Sequence, residues 1–391
     1  MVIFALPSLQ SNAIADGKDL TQEYHLTRAL LEGSNPYASG YLTAHPPTAG
    51  LLFLPLALVQ YPTAATIWFG LEIGCLILSV YMLGQDSKAH VSLLGTLAVT
   101  GLLLAWHPVV ADLTYGQLGL VQLPFLAIAW RVLQQRRDSL AGLLIGIAFL
   151  IKPFLWPLAL FLLLQRNWRT FGSLTVTVLL GYCITVWRIG YQAHLIYFTR
   201  TLPEVSQLYK AHVSNISLWS LGWRLFDGTG IEQVTLPTAP PLVRNPTAAQ
   251  FVSIAIPLLT MLTAYLAVRR IRRTDEWFGL AICVSILVSP IAWTHYMTLA
   301  TIPAAQAIRW LADRAYPRGK TVAAMVVGGL LLLPPEVAAR LTYMLAPAGT
   351  TPPATSLPFL VALSQMEPAL AVAALAWLVA TLQMENETAG V

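Results

Sequence analysis

The residues able to do chemistry are few, and they interrupt long apolar runs. The chain is 56% hydrophobic and only 10% charged. Asp19 heads an amphipathic segment, DLTQEYHLTRALLEG, that Gly33 and then Asn35-Pro36 should terminate. A carboxylate at a helix N-terminus is stabilised as the anion, and an ionised carboxylate can take a proton from a sugar or lipid hydroxyl. The bland alternative is a helix cap, and Asp16 is the competing base. Lys152, before Pro153, is a compact positive charge suited to a phosphate; its alternative is snorkelling to the headgroups. His295, in Trp293-Thr294-His295-Tyr296, can donate to a phosphate or orient a base. Its alternative is an incidental histidine in an interfacial aromatic belt. Tyr37 and His45, beside proline-stiffened turns, are either site residues or surface anchors. The run Asp112–Gln117 (DLTYGQ) reads as a tight turn whose polar side chains face water or line a cavity, because burying them unpaired costs several kcal/mol.

The elements that position these groups must be helices. Mean hydropathy is +0.64, and the apolar residues come as blocks too long and continuous for barrel strands. The expectation is an all-α polytopic membrane protein with about eleven or twelve transmembrane helices and additional extracytoplasmic loop helices. The whole chain, 1–391, reads as one integral membrane domain. A first extracytoplasmic loop (15–61) carries the candidate carboxylate, and a long one (191–250) contains a half-buried helix beginning near Asn215. The segment His45–Gln60 is too short to span comfortably and carries Pro55, so it is expected to be re-entrant or interfacial. The start, Met1–Ala15, is expected to be a cropped first span rather than a signal peptide, since no basic residue precedes its apolar stretch.

Sidedness comes from the basic residues. Lys88, Arg131, Arg136, Arg137, Arg166, Arg169, Arg269, Arg270, Arg272, Arg273, Arg309, Arg314, Arg318 and Lys320 fall in short loops on one side, which is then cytoplasmic. That count requires the blocks flanking Lys152-Pro153 to form a hairpin; one broken helix is the other reading. The net charge of +5 is explained by these loops without nucleic acid. Cys75, Cys183 and Cys283 lie in apolar blocks without ligand or pairing spacing. No metal cluster, Walker loop, dinucleotide glycine motif or Asp-x-Asp occurs, so no cofactor is expected. With no loop long enough for a soluble nucleotide-sugar domain, any sugar donor has to be lipid-linked.

Taken in order, the motifs resemble the polyprenyl-phosphate-mannose-dependent mannosyltransferases, glycosyltransferase family eighty-seven of the GT-C superfamily. The matching stretches are Asp19-Leu20 with Tyr24, Leu30–Gly33 through Asn35-Pro36-Tyr37, and His45-Pro46-Pro47 ahead of Leu54-Pro55-Leu56. Further matches are Tyr115-Gly116-Gln117, Gly142 to Lys152, Asn215 with Ser217, and Ser289-Pro290 with Trp293 and His295-Tyr296. The chain departs from the family pattern in having Leu20 and Glu23 after the first Asp and His45 where a Tyr is usual.

The resemblance implies an inverting transfer of a hexose, mannose by likeness, from a polyprenyl-phosphate donor to a lipid or glycan acceptor. Asp19 would act as base. Lys152 and His295, assisted by Arg28, would hold the leaving phosphate, and no metal would be needed. Tyr37, His45, Tyr115, Gln117, Asn215, Trp293 and Tyr296 would contact substrate. The implied place is the bacterial plasma membrane, with the site at its extracytoplasmic face. The rival reading is a multi-span transporter or flippase, which would be expected to show internal repeats and midplane polar groups.

Overall fold

The computed structural model describes residues 19–37, 45–85, 91–212, 214–228, 240–269, 271, 273–313, 318–334, 337 and 366–388. Asp16, the chain start and all of the 335–356 loop except Val337 lie outside the described residues. The chain divides into two compact units, residues 1–205 and 206–391, each with its own core.

The first unit opens with helix α1 (Asp19–Glu32), which ends where expected, at Gly33 in the left-handed region with φ +73°. Its buried face is Leu20, Thr21, Glu23, Leu26, Thr27 and Leu30, so one carboxylate, Glu23, lies within an otherwise mostly apolar stripe. Residues 45–60 fold into one-turn pieces, Pro47–Ala49, Gly50–Phe53 and Leu56–Leu58, too short to span, as anticipated. They pack beneath α1, with Phe53 stacked 4.3 Å from Trp68.

Next come α2 (Tyr61–Gly84), α3 (Leu93–Leu103) and α4 (His107–Tyr115). Of the turn expected at Asp112–Gln117, Asp112–Tyr115 form the last part of α4 instead, and the chain turns at Gly116-Gln117. Pro108 occupies the first turn of a new helix, where a missing N–H and a fixed φ cost nothing. The chain therefore restarts as helix immediately after its break at Leu104–Trp106, and Asp112 is carried fully inside. Gly116 closes α4 at φ +64°, and a β-carbon there would lie 2.6 Å from Leu20 Cβ. Gly116→Ala is expected to destabilise the protein by about 1–3 kcal/mol through backbone strain and that collision. It should appear as a lowered melting temperature in detergent; an unchanged one would mean the α1–α4 approach can relax.

Helix α5 (Gly119–Gln134) is buried on nearly every side and forms the centre of the unit, which its uniformly apolar character allows. It packs on α2 and on α6 (Asp138–Ile151). The chain then breaks at Lys152, whose backbone is extended, makes one turn at Pro153–Leu155, and runs on as α7 (Trp156–Leu164) and α8 (Trp168–Ile189). Contacts pair Ser139 with Ser173, Gly146 with Thr177 and Leu150 with Gly181, so α6 and α8 are parallel. The chain between them has to return, which makes the Lys152-Pro153 segment the tip of a hairpin. Gly142 and Gly146 allow the two helix backbones to approach closely, as small residues do in membrane helix pairs. The unit finishes with α9 (Tyr191–Ile196), a π-helical turn at Tyr197–Thr201, and the first half of α10 (Leu202–Tyr209).

In the second unit α11 (Leu218–Phe226), N-capped by Ser217, lies along α12 (Pro246–Val268). Gly222 sits against Ala249 and Ser253. Among the described residues of the segment expected as a long loop, 191–250, those at 191–209, 218–226 and 246–250 are helical. Helix α13 (Thr274–Val288) is the buried centre, flanked by α14 (Thr301–Asp313) and α16 (Glu367–Thr388); α15 (Arg318–Leu332) packs on α16.

Among the described residues three helices, α2, α8 and α12, are long and apolar enough to cross a bilayer, and α3 with α4, bent by 78°, gives a fourth if counted as one span. The other apolar helices are short, with α5, α6 and the Pro153–Leu164 segment among them. Among the described residues, prolines and polar breaks divide several of the apolar blocks into shorter helices. The lipid-facing stripes are explicit. Val176, Leu180, Ile184 and Trp187 on α8, and Phe251, Ile254, Leu258 and Leu262 on α12, are exposed at helical spacing. Exposed Trp168 and Trp187 stand about 28 Å apart along α8, close to the roughly 30 Å hydrocarbon thickness that interfacial tryptophans bracket. This is an all-α polytopic membrane protein.

Candidate active site

The first unit gathers Asp19, Glu23, His45, Gln117 and Lys152 into one polar cluster. Asp19 and Glu23 lie one turn apart on α1 and so share a face. Gln117 is placed by the α4 cap, its N–H donating to the Asp112 carbonyl at 2.9 Å. Its side chain links the other two groups. The amide Nε2 donates to Asp19 Oδ2, and Oε1 accepts from Lys152 Nζ at 3.0 Å. Lys152 is 5% exposed and does not snorkel. Gln122 secures the break beneath it, donating to the Ala148 carbonyl at 2.7 Å and the Lys152 carbonyl at 3.4 Å.

On the other flank, Glu23 Oε1 accepts from His45 Nδ1, both side chains being buried. The His45 loop is secured twice. Tyr37 Oη donates to the His45 carbonyl at 3.1 Å, and Thr48 Oγ1 donates to the Leu150 carbonyl at 2.7 Å. Arg188 at the end of α8 donates to the Leu31 carbonyl, a cation at the C-terminal end of α1. The whole cluster thus lies at the Trp187 end of α8.

The electrostatics suit acid–base work. Burial pushes the Asp19 carboxyl above its usual range, and Glu23 adds to this; His45, Lys152 and the Gln117 hydrogen bond pull it back. The helix N-terminus expected to keep Asp19 fully ionised is therefore outweighed by desolvation, which moves the group toward the neutral pH at which a general base works best. Burial pulls the Lys152 ammonium down to about 8, against the opposing pull of Asp112, Asp19 and Glu23.

Two of the residues expected on substrate lie elsewhere in this unit. Arg28 is half-exposed, with Glu32 at 3.5 Å and the Ala57 carbonyl at 3.3 Å. Tyr115 is 46% exposed. Tyr37 is buried, and its hydroxyl is engaged by the protein's own backbone, so it positions His45. Glu23 and Asp112 were not singled out by residue type. The i,i+4 spacing from Asp19 was the available signal for Glu23; nothing in the sequence marked Asp112 as fully buried.

In the second unit, Asn215 is fully buried and all of its hydrogen-bonding capacity is used. Nδ2 donates to the Tyr209 carbonyl at 3.1 Å and the Pro290 carbonyl at 3.3 Å; Oδ1 accepts from Ser217 N and Ala292 N, each at 3.0 Å. It ties the segment around Tyr209 to the segment Pro290–Ala292. Asn215→Ala is expected to cost about 2–4 kcal/mol, because several buried groups lose partners at once. The readout is detergent melting, with Asn215→Asp as an intermediate case; wild-type melting in both would remove the clamp role. His295 and Tyr296 are buried in the 3₁₀ segment Thr294–Ala300, their rings 5.0 Å apart, while Trp293 just before them is half-buried.

A carboxylate bonded through an amide to a buried cation, carried on an all-helical membrane scaffold, is an arrangement able to support group transfer in a membrane enzyme. The profile of glycosyltransferase family 87 matches residues 43–290, and the chain belongs to that family: it is a glycosyltransferase. The matched region includes His45, Gln117, Lys152 and Asn215, and Asp19 and His295 flank it. Family membership sets aside the transporter reading.

Among its relatives is the polyprenol-phosphate-mannose-dependent α-(1-2)-phosphatidylinositol mannoside mannosyltransferase of Mycobacterium tuberculosis. It is 24% identical over 336 residues, which cover 78% of this chain and 73% of that protein. The corresponding phosphatidylinositol pentamannoside mannosyltransferase of Mycolicibacterium smegmatis is 27% identical over 259 residues, 64% of this chain and 57% of that protein. An α-(1->3)-arabinofuranosyltransferase of Corynebacterium glutamicum is 28% identical over 206 residues, about half of each chain. No solved structure matches the chain.

Proposed function

We propose that the protein transfers mannose from a polyprenyl-phosphate donor to a hydroxyl of a lipid or glycan acceptor, with inversion, at the extracytoplasmic face of the bacterial plasma membrane. The observation that carries this reading is the Asp19–Gln117–Lys152 linkage, which holds a base and a cation in fixed relation. Asp19 removes the acceptor hydroxyl proton as the oxygen attacks the anomeric carbon. The bond from that carbon to the phosphate oxygen breaks on the opposite side, and the polyprenyl phosphate departs with both bonding electrons. Lys152 offsets the charge that gathers on the phosphate, the kind of prearranged electrostatic stabilisation that contributes most in many enzymes.

Glu23 holds the His45 ring beside Asp19 and keeps that flank fixed. The sugar named for two of the relatives, mannose, supports the choice of hexose; arabinofuranose, named for the third, is the competing donor sugar. The face is supported by the cluster lying at the Trp187 end of α8, opposite the basic loop of Arg166 and Arg169. His295, in the second unit, remains a separate candidate for the donor phosphate, tested by His295→Gln.

The test is transfer of labelled mannose from synthetic polyprenyl-phosphate-mannose to membrane lipid extracts, beside the corresponding arabinofuranosyl donor. Mannose-dependent product with an anomeric configuration opposite to the donor's supports the reading. Arabinofuranose transfer alone would replace the sugar, and a retained configuration would overturn the single-displacement step.

A further inference from the structure

Three aromatic rings in the second unit form a cluster that no step above uses. Tyr209 and Trp293 meet edge to face at 5.1 Å, His212 and Trp293 at 5.2 Å, and Tyr209 and His212 at 5.5 Å. All three residues are half-buried, so the rings support one another by their edges and part of their surface stays open.

The backbone beneath them is unusually well secured. Asn215 ties the Tyr209 carbonyl to the segment that ends in Trp293. The buried Arg224 guanidinium donates to the His212 carbonyl at 2.6 Å and the Asn215 carbonyl at 2.5 Å. Ser217 Oγ donates to the Ser289 carbonyl, and Trp219 Nε1 donates to the Val288 carbonyl at 2.6 Å. An incidental surface cluster does not need three buried polar side chains, Asn215, Ser217 and Arg224, to hold its loops.

The chemistry of the cluster is neutral. His212 Nδ1 accepts the Ser214 N–H at 3.1 Å, which places the ring proton on Nε2 as a donor. Burial and the nearby Arg224 both lower the affinity of the ring for a second proton. The adjacent Lys210 ammonium lies 3.8 Å from the centre of the Trp223 ring, held in a cation–π contact. Aromatic faces combined with a neutral N–H donor suit a polyhydroxylated ring, whose C–H face stacks on an indole while its hydroxyls hydrogen-bond. They suit a phosphate poorly.

We propose that Tyr209, His212 and Trp293 form a platform that binds a hexopyranose ring. The proposal rests on the sugar-transfer reading for its biological sense, but its binding is measured without transfer. The ring could belong to the glycan of the acceptor or to the donor. The shared chemistry is the hexose, and kinetics separates the two sources.

The experiment uses the full chain in detergent. Saturation-transfer NMR with methyl α-mannopyranoside and an α-linked mannobiose is recorded for wild type, Trp293→Ala, Trp293→Tyr, Tyr209→Ala and His212→Gln. Melting temperatures are measured in parallel. Wild type should bind the mannosides, Trp293→Ala should weaken binding at least ten-fold, and Trp293→Tyr should restore much of it. In transfer assays, a ten-fold or greater rise in acceptor KM, with kcat within about three-fold, assigns the ring to the acceptor. The same rise in donor KM assigns it to the donor.

Unchanged mannoside binding and unchanged KM values in correctly folded Trp293→Ala and Tyr209→Ala would overturn the platform, leaving the rings as an interfacial belt. If one variant fails to fold, the His212→Gln and Trp293→Tyr results decide. Absence of transfer with Trp293-dependent mannoside binding intact would count against the transfer reading and not against the platform.

Discussion

Asp19→Asn is expected to reduce mannosyl transfer by about 10²–10⁴-fold, the range over which a positioned general base contributes. The amide is close to isosteric, so the Gln117 contact can re-form with the substituted side chain and the fold should survive. What is lost is the proton acceptor. The loss should fall on kcat while donor affinity changes little, since Lys152 and Gln117 remain. Glu23, one turn on, is a carboxylate on the same face, but its Oε1 is committed to His45. It is therefore not expected to substitute for Asp19, and Glu23→Gln should give a smaller defect. Single-turnover transfer with labelled donor measures both. If Glu23→Gln were inactive and Asp19→Asn active, the two carboxylates would have to exchange roles.

Loss of the Lys152 charge should have the second large effect, and pH is the cleanest way to see it. In the proposed reaction Asp19 acts deprotonated, so activity should rise with pH through its carboxyl pKa, which burial raises. Lys152 acts protonated there, so activity should fall as pH rises through about 8. The expected profile of kcat/KM is a bell whose alkaline limb belongs to Lys152. Lys152→Met should cost roughly 10²–10³-fold, as removal of one prearranged stabilising donor does. Lys152→Arg is the informative partner, because a guanidinium stays charged across this range. It should retain partial activity and lose the alkaline limb. A limb that persists in Lys152→Arg would assign it to another group.

Both predictions depend on contacts that residue types alone did not supply. The pattern Asp19–Gly33 was readable as a helix, and the break at Lys152-Pro153 was visible, because glycine, proline and apolar spacing act over a few residues. Glu23 went unassigned because its partner, His45, is twenty-two positions away and across a chain reversal. In the DLTYGQ run, expected as a turn, Asp112–Tyr115 is helical and only Gly116-Gln117 turns. Its residues favour turns locally, but Pro108 starts a helix early enough to include Asp112, and Gly116 ends it against Leu20. For Asn215, expected on substrate, only its surroundings show that every donor and acceptor is already used within the protein.

Sequence by itself determined the class of molecule: blocks of apolar residues in a bilayer can satisfy their backbone only as helices. It also marked Asp19 and Lys152 as candidates, one at a helix N-terminus and one within an apolar stretch. Tertiary structure decided what those charges face. The parallel register of α6 and α8 makes the Lys152 segment a hairpin tip, and it places that lysine on the same glutamine as Asp19. Such a pairing joins residues far apart in the chain through side-chain packing. Local propensity, which acts over a turn or two, carries no information about it.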